Sequence, residues 1–442
     1  MKRSALVIIL FLALVASACG FGVGTAYFNV TQAANPGSNA QVYFEVKDGD
    51  TPSDLGPRLQ AAGLIRNATV FTYYVKYIKK FNLKSGVFTL SPSYSMDKII
   101  STLQTATPIP QVTVTIPPGL RVLEYSEMVL EHPDQPDGPK VPRFHNLPRF
   151  NAENFIKIAT TGKYNDGTNV SDSYWFVPKT LHKDAKFALE GYLYPDTYSF
   201  NKTDTEEDVI NRMLVAFGTV LCPGPDNNPG AYFDDAKQCQ AHMAKVGADK
   251  STDILTVAKA KFFTDDPVEA IYKALTLASI VVRESASRDD HGDRGKIADI
   301  LYRRLLASQG KIKVPADGNA GNYHCLDADP TAWYAYFSDH TPTDGNYWAI
   351  VDSPRKVAPD SPYNTYTQCT DLPPGPIAAP GGVEKGDPFL YAAADPNLGS
   401  ITNAFFYIHD GCLHPHLWII PTYSQVGPTN TKYLGKCPTG DA

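Results

Sequence analysis

The stretch Ala274–Ser285 reads ALTLASIVVRES and contains a carboxylate where a core residue is expected. Apolar residues recur at spacings of three and four, and in a helix they share one face with Glu284: Ala274, Leu277 and Val281. Glu284 therefore continues an apolar stripe. Apolar surroundings disfavour the charged form of a carboxyl group and raise its pKa, and a general acid needs that state near neutral pH.

A second interpretation of Glu284 stays open from its spacing alone. Arg288 lies one helical turn further on, and a Glu–Arg pair four residues apart is common on exposed helix surfaces. If the buried stripe were shifted by one position, Glu284 would lie at its boundary. Spacing therefore allows either a buried acid or a surface ion pair, and the remaining motifs of the chain favour the acid.

The composition excludes several classes of protein. The 442 residues are enough for roughly three domains of about 150 residues, each with its own core. The 40 Lys and Arg residues against 46 Asp and Glu give a net charge of −6, and nothing in this balance suggests the clustered basic face that nucleic-acid binding usually needs. The chain has neither a GxxxxGK[ST] loop nor a Rossmann glycine pattern. We therefore expect no nucleic-acid partner and no cofactor.

The N-terminus indicates export. Two basic residues precede an apolar run at 5–15, as in a signal or anchor segment. Three modes of attachment are open: cleavage at the small residues 16–18, lipidation at Cys19, or an uncleaved membrane span over 5–28. We expect a single-pass anchor in the cell membrane with the rest of the chain outside the cytoplasm, and a lipoprotein at Cys19 is the alternative.

The other cysteines agree with export. Their number is even, as expected for disulfides outside a reducing compartment: Cys222, Cys239, Cys325, Cys369, Cys412 and Cys437. Of the 15 pairings that six cysteines allow, we predict Cys222–Cys239, which closes a loop rich in Pro, Gly and Asn, and Cys412–Cys437.

The motif HDGCLHPH offers side chains at a spacing that zinc can use: His409, Cys412, His414 and His416. However, Cys412 belongs to the even exported set, and oxidation to a disulfide would remove it as a ligand. We expect no metal at this motif.

Changes of texture divide the chain into four parts. Residues 1–28 form the anchor and 29–40 a polar linker. Residues 41–108 follow the order strand, helix, helix, strand, helix, which fits a small wall-binding module. Residues 111–436 form a larger domain, so the fold class is α+β. It carries three loop-rich insertions, the first predicted at the surface around one short helix and the third predicted to be irregular: about 133–186, 220–265 and 318–360.

Specific motifs occur at EGYLYPDTY (190–198), ASIVVRES (278–285) and PYNTYTQCTDLPPGPIAAPG (362–381). In this order, they resemble the YceG-like (MltG) endolytic murein transglycosylases of bacteria. The block at 46–71, VKDGDTPSDLGPRLQAAGLIRNATVF, is similar to the LysM-like module of that family. The resemblance implies a membrane anchor, a small LysM-like module and a larger α+β YceG-like catalytic domain.

The resemblance also implies site residues. The catalytic glutamate of the family falls on Glu284, and the glutamate that many members have two residues earlier is Val282 here. Asp317 matches the aspartate of the family's LQxDP element. The YNTY segment implies four residues of a substrate cleft: Tyr363, Asn364, Thr365 and Tyr366.

Three positions depart from the family pattern. Pro315 replaces the glutamine of the LQxDP element, Arg303 the asparagine of YNRL, and Gln425 a late histidine. These departures concern substrate contacts more than the chemistry itself.

The resemblance implies cleavage of the β-1,4 bond between N-acetylmuramic acid and N-acetylglucosamine without water. Protonated Glu284 would donate to the glycosidic oxygen. Its carboxylate would then accept the proton of the muramoyl 6-hydroxyl as this group closes a 1,6-anhydro ring. The expected partners are the glycan strands of nascent peptidoglycan, the membrane and the machinery of cell-wall synthesis. The alternatives are a non-catalytic peptidoglycan-binding scaffold of the same fold and an ordinary glycan hydrolase.

Overall fold

The structure is a computed structural model. It describes residues 31–47, 49–77, 84–130, 140–224, 232–245, 254–285, 291–340, 342, 346–348, 353–381, 393, 403–409 and 416–436. After Val112 the chain divides into two compact units. The chain contains both helices and strands, so the predicted mixed class is confirmed.

The N-terminal unit has the predicted order of elements. They are β1 (Val42–Val46), α1 (Pro52–Ala61), α2 (Ala68–Tyr77), β2 (Gly86–Leu90) and α3 (Met96–Thr105). The strands β1 and β2 pair antiparallel, with Val42 opposite Leu90 and Val46 opposite Gly86. One apolar cluster joins all five elements, with fully buried members such as Leu55, Phe71, Phe88 and Ile99.

Local chemistry explains where these helices begin. At the start of α1, the hydroxyl and the backbone N–H of Thr51 donate to Asp54 at 2.6 and 2.8 Å, and Pro52 takes the first helical position. At the start of α3, the Ser95 side chain accepts the Lys98 N–H at 3.3 Å. Both caps satisfy polar groups that the first helical turn would leave open.

The second unit contains more helix than strand. Its helices are α4 (Ala152–Thr161), α5 (Glu206–Leu221), α6 (Ala236–Lys245), α7 (Ile254–Lys261), α8 (Pro267–Glu284), α9 (His291–Ser308), α10 (Asp329–Phe337) and α11 (Val426–Tyr433). Its short strands form two-stranded sheets, β3 (Gln111–Thr115) with β6 (Thr197–Asn201), β4 (Met128–Leu130) with β5 (Lys140–Pro142), and β7 (Phe406–His409) with β8 (Leu417–Ile420).

Helix α8 is the centre of this unit. Asp266 caps it by accepting the Val268 N–H at 2.9 Å, and Pro267 is its first residue. Nearly every residue from Ala270 to Val281 is buried, and α7, α9 and α10 pack against the helix. The predicted apolar stripe is thus confirmed, although burial extends around the whole helix.

The segment 318–360 was predicted to be irregular. This prediction is wrong, because the segment contains α10. This helix is buried over most of its length, with Thr331 and Tyr334 fully enclosed and Trp333 nearly so. Its sequence DPTAWYAYF is apolar or aromatic on all sides, so it has no amphipathic period from which a helix could be predicted.

Among its described residues, 140–186, the segment 133–186 contains one α-helix, α4, in agreement with the one short helix that was predicted. Its surface location is only partly right, because Phe155, Ile158 and Phe176 are fully buried in the second unit. The EGYLYPDTY motif lies in the core, as expected for its tyrosines, of which Tyr192 and Tyr198 are buried.

Two disulfides lie in the described part of the chain. The predicted pair Cys222–Cys239 is confirmed, and Cys325 pairs with Cys369 across 44 residues of sequence. Cys412 and Cys437 lie outside the described residues, and so does the greater part of the HDGCLHPH motif.

The N-terminal 30 residues, including Cys19, also lie outside the described residues. Within the part of the chain that the structure describes, no helix is both long and apolar enough to span a membrane.

The packing of α8 predicts a large effect of one glycine substitution. Gly191 has φ +82°, and a Cβ there would lie 2.7 Å from Pro376 Cβ and 3.1 Å from Leu275 Cδ2. Gly310 has φ +67°, but no described heavy atom lies within 4 Å of its Cβ position. We expect Gly310→Ala to cost about 1 kcal/mol through backbone strain alone. Gly191→Ala should cost about 2–4 kcal/mol, because overpacking adds to the strain. Urea unfolding of both variants tests this, and equal losses would contradict it.

Candidate active site

Glu284 is the last residue of α8, where the helix leaves the core. The Glu284 residue keeps partial exposure, but its carboxyl group is strongly desolvated. The hydroxyl of Tyr407, on β7, donates to Glu284 Oε2 at 2.7 Å. The backbone N–H of Asp329, the first residue of α10, also acts on this carboxyl and favours its charged form. Arg288, the alternative partner considered above, lies outside the described residues.

Burial raises the pKa of Glu284 from its ordinary 4.5 to about 7. The Tyr407 hydrogen bond opposes this rise, because it stabilises the charged form, and the Asp329 carboxylate adds to it as a like charge. Burial beside Glu284 raises the pKa of Tyr407 well above 10, so this hydroxyl stays protonated. The site therefore contains one carboxyl group that exchanges a proton near neutral pH and one hydroxyl that does not.

Tyr366 is the member of the YNTY segment that reaches this environment. Its hydroxyl donates to Asp329 Oδ1 at 2.6 Å. The charges of Asp329 and Glu284 contribute to raising the Tyr366 pKa after burial, its largest cause. The structure thus brings the predicted residues Glu284 and Tyr366 together, with Asp329 between them.

The rest of YNTY is buried beneath Tyr366. Asn364 donates to the carbonyls of Pro354 and Val357 at 2.9 and 2.5 Å and accepts the Tyr366 N–H at 3.0 Å. The Thr365 hydroxyl lies 2.8 Å from that of Thr331 on α10. These contacts fix the loop that presents Tyr366.

Tyr363 is likewise enclosed, with its ring 4.8 Å from that of Tyr334 on α10. The contacts described for Tyr363, Asn364 and Thr365 are made inside the chain, and a direct role in substrate binding stays a prediction.

Asp317 contacts Tyr323 and Ser424, and Tyr323 in turn packs beside β7. Its carboxylate accepts the Tyr323 hydroxyl at 2.7 Å and the Ser424 N–H at 3.3 Å, and these bonds lower its pKa. The Tyr323 ring packs edge-on against Phe405 and Phe406, immediately before Tyr407. The structure therefore connects Asp317 to the site through the strand that carries Tyr407, and a substrate contact stays a prediction.

Arg304 of α9 anchors the same strand from the other side. Its guanidinium pairs with Asp327 and donates to the carbonyls of Cys325 at 2.5 Å and Phe405 at 3.2 Å. The guanidinium also lies 4.7 Å from the ring centroid of Phe406. The neighbouring Arg303 instead pairs with Asp299 on its own helix, at 3.1 Å.

A second group of buried acids lies on the other side of Arg283. The Glu124 carboxylate accepts the Trp348 indole N–H at 2.9 Å, and Arg283 stacks 3.9 Å from the Trp348 ring. Glu190, from EGYLYPDTY, accepts the Val122 N–H at 2.9 Å, and burial raises its pKa to about 8. These carboxyl groups accept hydrogen bonds from backbone N–H groups and from the indole, and these bonds stabilise the core.

A groove of about 1230 Å³ lies at the opposite end of α8. Trp175, His182 and Glu269 line it. At 1.5 Å of rise per residue, the helix separates this groove from Glu284 by roughly 20–25 Å. The groove is therefore distinct from the surroundings of Glu284.

Sequence reasoning missed Tyr407 and Asp329. Tyr407 lies in the strand β7 and follows Phe405 and Phe406, and an aromatic residue after two others gives no sign of a polar contact. Asp329 lies in the segment predicted to be irregular. The DP pair at 329–330 was the available signal, since an acidic residue and a proline mark a helix start.

Comparison with known proteins decides the family. The model of the YceG-like family matches residues 44–412. The chain belongs to the YceG-like family. Relatives from two Streptococcus pneumoniae strains, each named endolytic murein transglycosylase, are 27% identical over 390 residues. The alignment covers 84% of this chain but 56% of theirs, so the chain spans little more than half their length.

A Bacillus subtilis protein with the same name is 26% identical and is covered over 74% of its length, with 78% of this chain. A crystal structure of a putative YceG-like protein from Listeria monocytogenes is 22% identical. It matches 88% of this chain and 99% of its own, with a TM-score of 0.43.

The elevated pKa of Glu284 predicts a stability effect. The neutral carboxyl is favoured in the folded state, so this contribution is complete below pH 4.5 and is lost as the pH rises to about 7. Glu284→Gln keeps the shape without the charge. We expect this variant to exceed the wild type in unfolding free energy at pH 8, by at most about 3 kcal/mol, and to show little difference at pH 4.

Urea unfolding at several pH values measures this difference. Glu153→Gln, at the exposed start of α4, is the matched control and should change little at either pH. A pH-independent difference between the Glu284→Gln variant and the wild type would contradict a buried, neutral carboxyl.

Proposed function

We propose that the chain is a lytic transglycosylase that cuts peptidoglycan glycan strands internally and leaves 1,6-anhydro-N-acetylmuramic acid ends. The observation that carries this is the desolvated Glu284 carboxyl, with a pKa of about 7 and one oxygen held by Tyr407. Family membership and relatives named endolytic murein transglycosylase support the reaction class.

The single carboxyl acts twice. In the first step, protonated Glu284 donates to the glycosidic oxygen as the bond to the anomeric carbon breaks. In the second, its carboxylate accepts the proton of the muramoyl 6-hydroxyl, whose oxygen closes the anhydro ring. A group with a pKa of about 7 is well populated in both forms near neutral pH.

No second catalytic carboxylate is required by this route, since an internal hydroxyl replaces both water and a protein nucleophile. Asp329 is the acidic side chain whose charge raises the pKa of Glu284, and its carboxylate accepts a hydrogen bond from the Tyr366 hydroxyl. This supports the intramolecular route over ordinary hydrolysis.

The N-terminal unit supplies glycan binding in this proposal. Its β1–α1–α2–β2 order, with antiparallel strands, supports the LysM-like assignment of residues 41–108. We further propose that residues 1–28 anchor the chain in the cell membrane, with lipidation at Cys19 as the alternative. The site would then lie outside the cytoplasm, beside nascent strands and the proteins that synthesise them.

Product analysis on purified peptidoglycan tests the function. Mass spectrometry should find anhydro-ended fragments with the wild type, and Glu284→Gln should lower their rate of formation by at least about 100-fold. Glu153→Gln is the control and should retain activity. Co-sedimentation with peptidoglycan should be unchanged in the Glu284→Gln variant.

Each other result has a definite meaning. Reducing ends in place of anhydro ends would identify a hydrolase, and binding without fragments would identify a scaffold. Retained activity in the Glu284→Gln variant would refute the assignment of the acid.

The rate should also depend on pH in one direction near neutrality. Glu284 must be protonated to donate, so kcat/KM should fall as the pH rises above about 7. Initial rates of anhydro-end formation between pH 5 and 9 measure this limb. A rate that stays level to pH 9 would contradict Glu284 as the acid.

A further inference from the structure

One oxygen of the Glu284 carboxyl group, Oε2, has a defined hydrogen-bond donor. Oε2 accepts the Tyr407 hydroxyl at 2.7 Å. Tyr407 lies on β7, which pairs with β8 and is tied to α9 where Arg304 donates to the Phe405 carbonyl. The strand therefore holds the Tyr407 hydroxyl in place. When Glu284 is protonated, the oxygen that accepts this hydrogen bond is the carbonyl oxygen of its carboxyl group, and the other oxygen carries the proton.

Asp329 approaches the same carboxyl from α10, which packs against α8. Its own carboxylate accepts the Tyr366 hydroxyl at 2.6 Å, and its charge and its backbone N–H both act on the pKa of Glu284. A fixed negative charge thus lies beside a group that becomes negative when it donates its proton.

We propose that Tyr407 and Asp329 are positioning residues that govern the proton of Glu284. The Tyr407 hydroxyl reserves Oε2 as an acceptor, so Oε1 gives and takes the proton, and the Asp329 carboxylate opposes the charge that follows donation. This inference rests on the proposed function, because it assigns roles within that reaction.

The proton balance of both steps is closed within the site. In the first, the Oε1–H bond breaks, and the leaving glycosidic oxygen takes the proton together with the electron pair of the broken C–O bond. In the second, the 6-hydroxyl oxygen bonds to the anomeric carbon and its proton returns to Oε1. Tyr407 keeps its own proton throughout, since its pKa lies well above 10.

Other charged groups surround this arrangement. Arg304 on α9 lowers the pKa of Tyr407 against the larger effect of burial, and it is paired with Asp327. Arg355 lies 5.9 Å from the ring centroid of Tyr366. Tyr407 and Asp329 shift the pKa of the Glu284 carboxyl directly, whereas the two cations lie beside the tyrosines.

Two substitutions should move the alkaline limb of the pH–rate profile in opposite directions. Tyr407→Phe removes a bond that favours the carboxylate, so the limb should move up by about one pH unit. Asp329→Asn removes a like charge and keeps an acceptor for Tyr366, so the limb should move down by about half a unit.

The control is Tyr198→Phe, which loses one buried hydrogen bond, from its hydroxyl to the Tyr194 carbonyl, away from Glu284. Its limb should coincide with that of the wild type. If the rate falls in both site variants but the alkaline limb of the pH–rate profile does not move, Tyr407 and Asp329 have only structural roles. That result would overturn the inference.

A second measurement separates this inference from the proposed function. For the wild type and for each site variant, the pH dependence of the unfolding free energy is compared with that of the same protein carrying Glu284→Gln. The difference between the two reports the titration of Glu284 without substrate. The same opposite shifts are expected here. A wild type that forms no anhydro ends would refute the function, whereas unmoved titrations would refute the inference. Asp329 is exposed, so its variant provides a test even if the Tyr407 variant fails to fold.

Discussion

The loss of water around one carboxyl group is the constraint on which the site depends. Helix α8 is enclosed over almost its whole length, and Glu284 is placed where that enclosure ends. The Asp266 cap and Pro267 determine where the helix begins. Its 18 residues then place Glu284 at its end. Desolvation is the largest cause of the raised pKa of Glu284, and the fold rather than a neighbouring charge therefore supplies most of the effect.

The surroundings of Glu284 come from segments that are far apart in sequence. Asp329 begins α10, Tyr366 ends the YNTY segment and Tyr407 lies on β7. Buried polar contacts hold these pieces in register, as between Thr331 and Thr365. Such contacts are rigid when every partner is satisfied, because an unpaired polar group in the core is costly. The residues beneath the site thus act on its geometry.

The parts of this arrangement that are local in sequence were predictable. The apolar spacing before Glu284 allowed either a buried acid or a surface ion pair, and the other motifs of the chain favoured the acid. A short loop rich in turn residues predicted Cys222–Cys239. Cys325–Cys369 spans 44 residues and has no local signal. Helix α10 was missed because a helix that is buried on all sides has no polar face. Tyr407 was missed as a partner because only the tertiary fold brings β7 to the end of α8.

A carboxyl group that serves as acid and then as base must satisfy two opposed demands. At its ordinary pKa of 4.5, about one group in 300 would be protonated at pH 7, and few molecules could donate the proton that the first step needs. A much higher pKa would keep the proton on Glu284 and weaken it as a donor. Burial and the Asp329 carboxylate push the pKa up, and the Tyr407 hydroxyl holds it back. A balance near neutrality therefore requires polar partners as well as an apolar pocket, and this is why a strand and a helix N-terminus meet at Glu284.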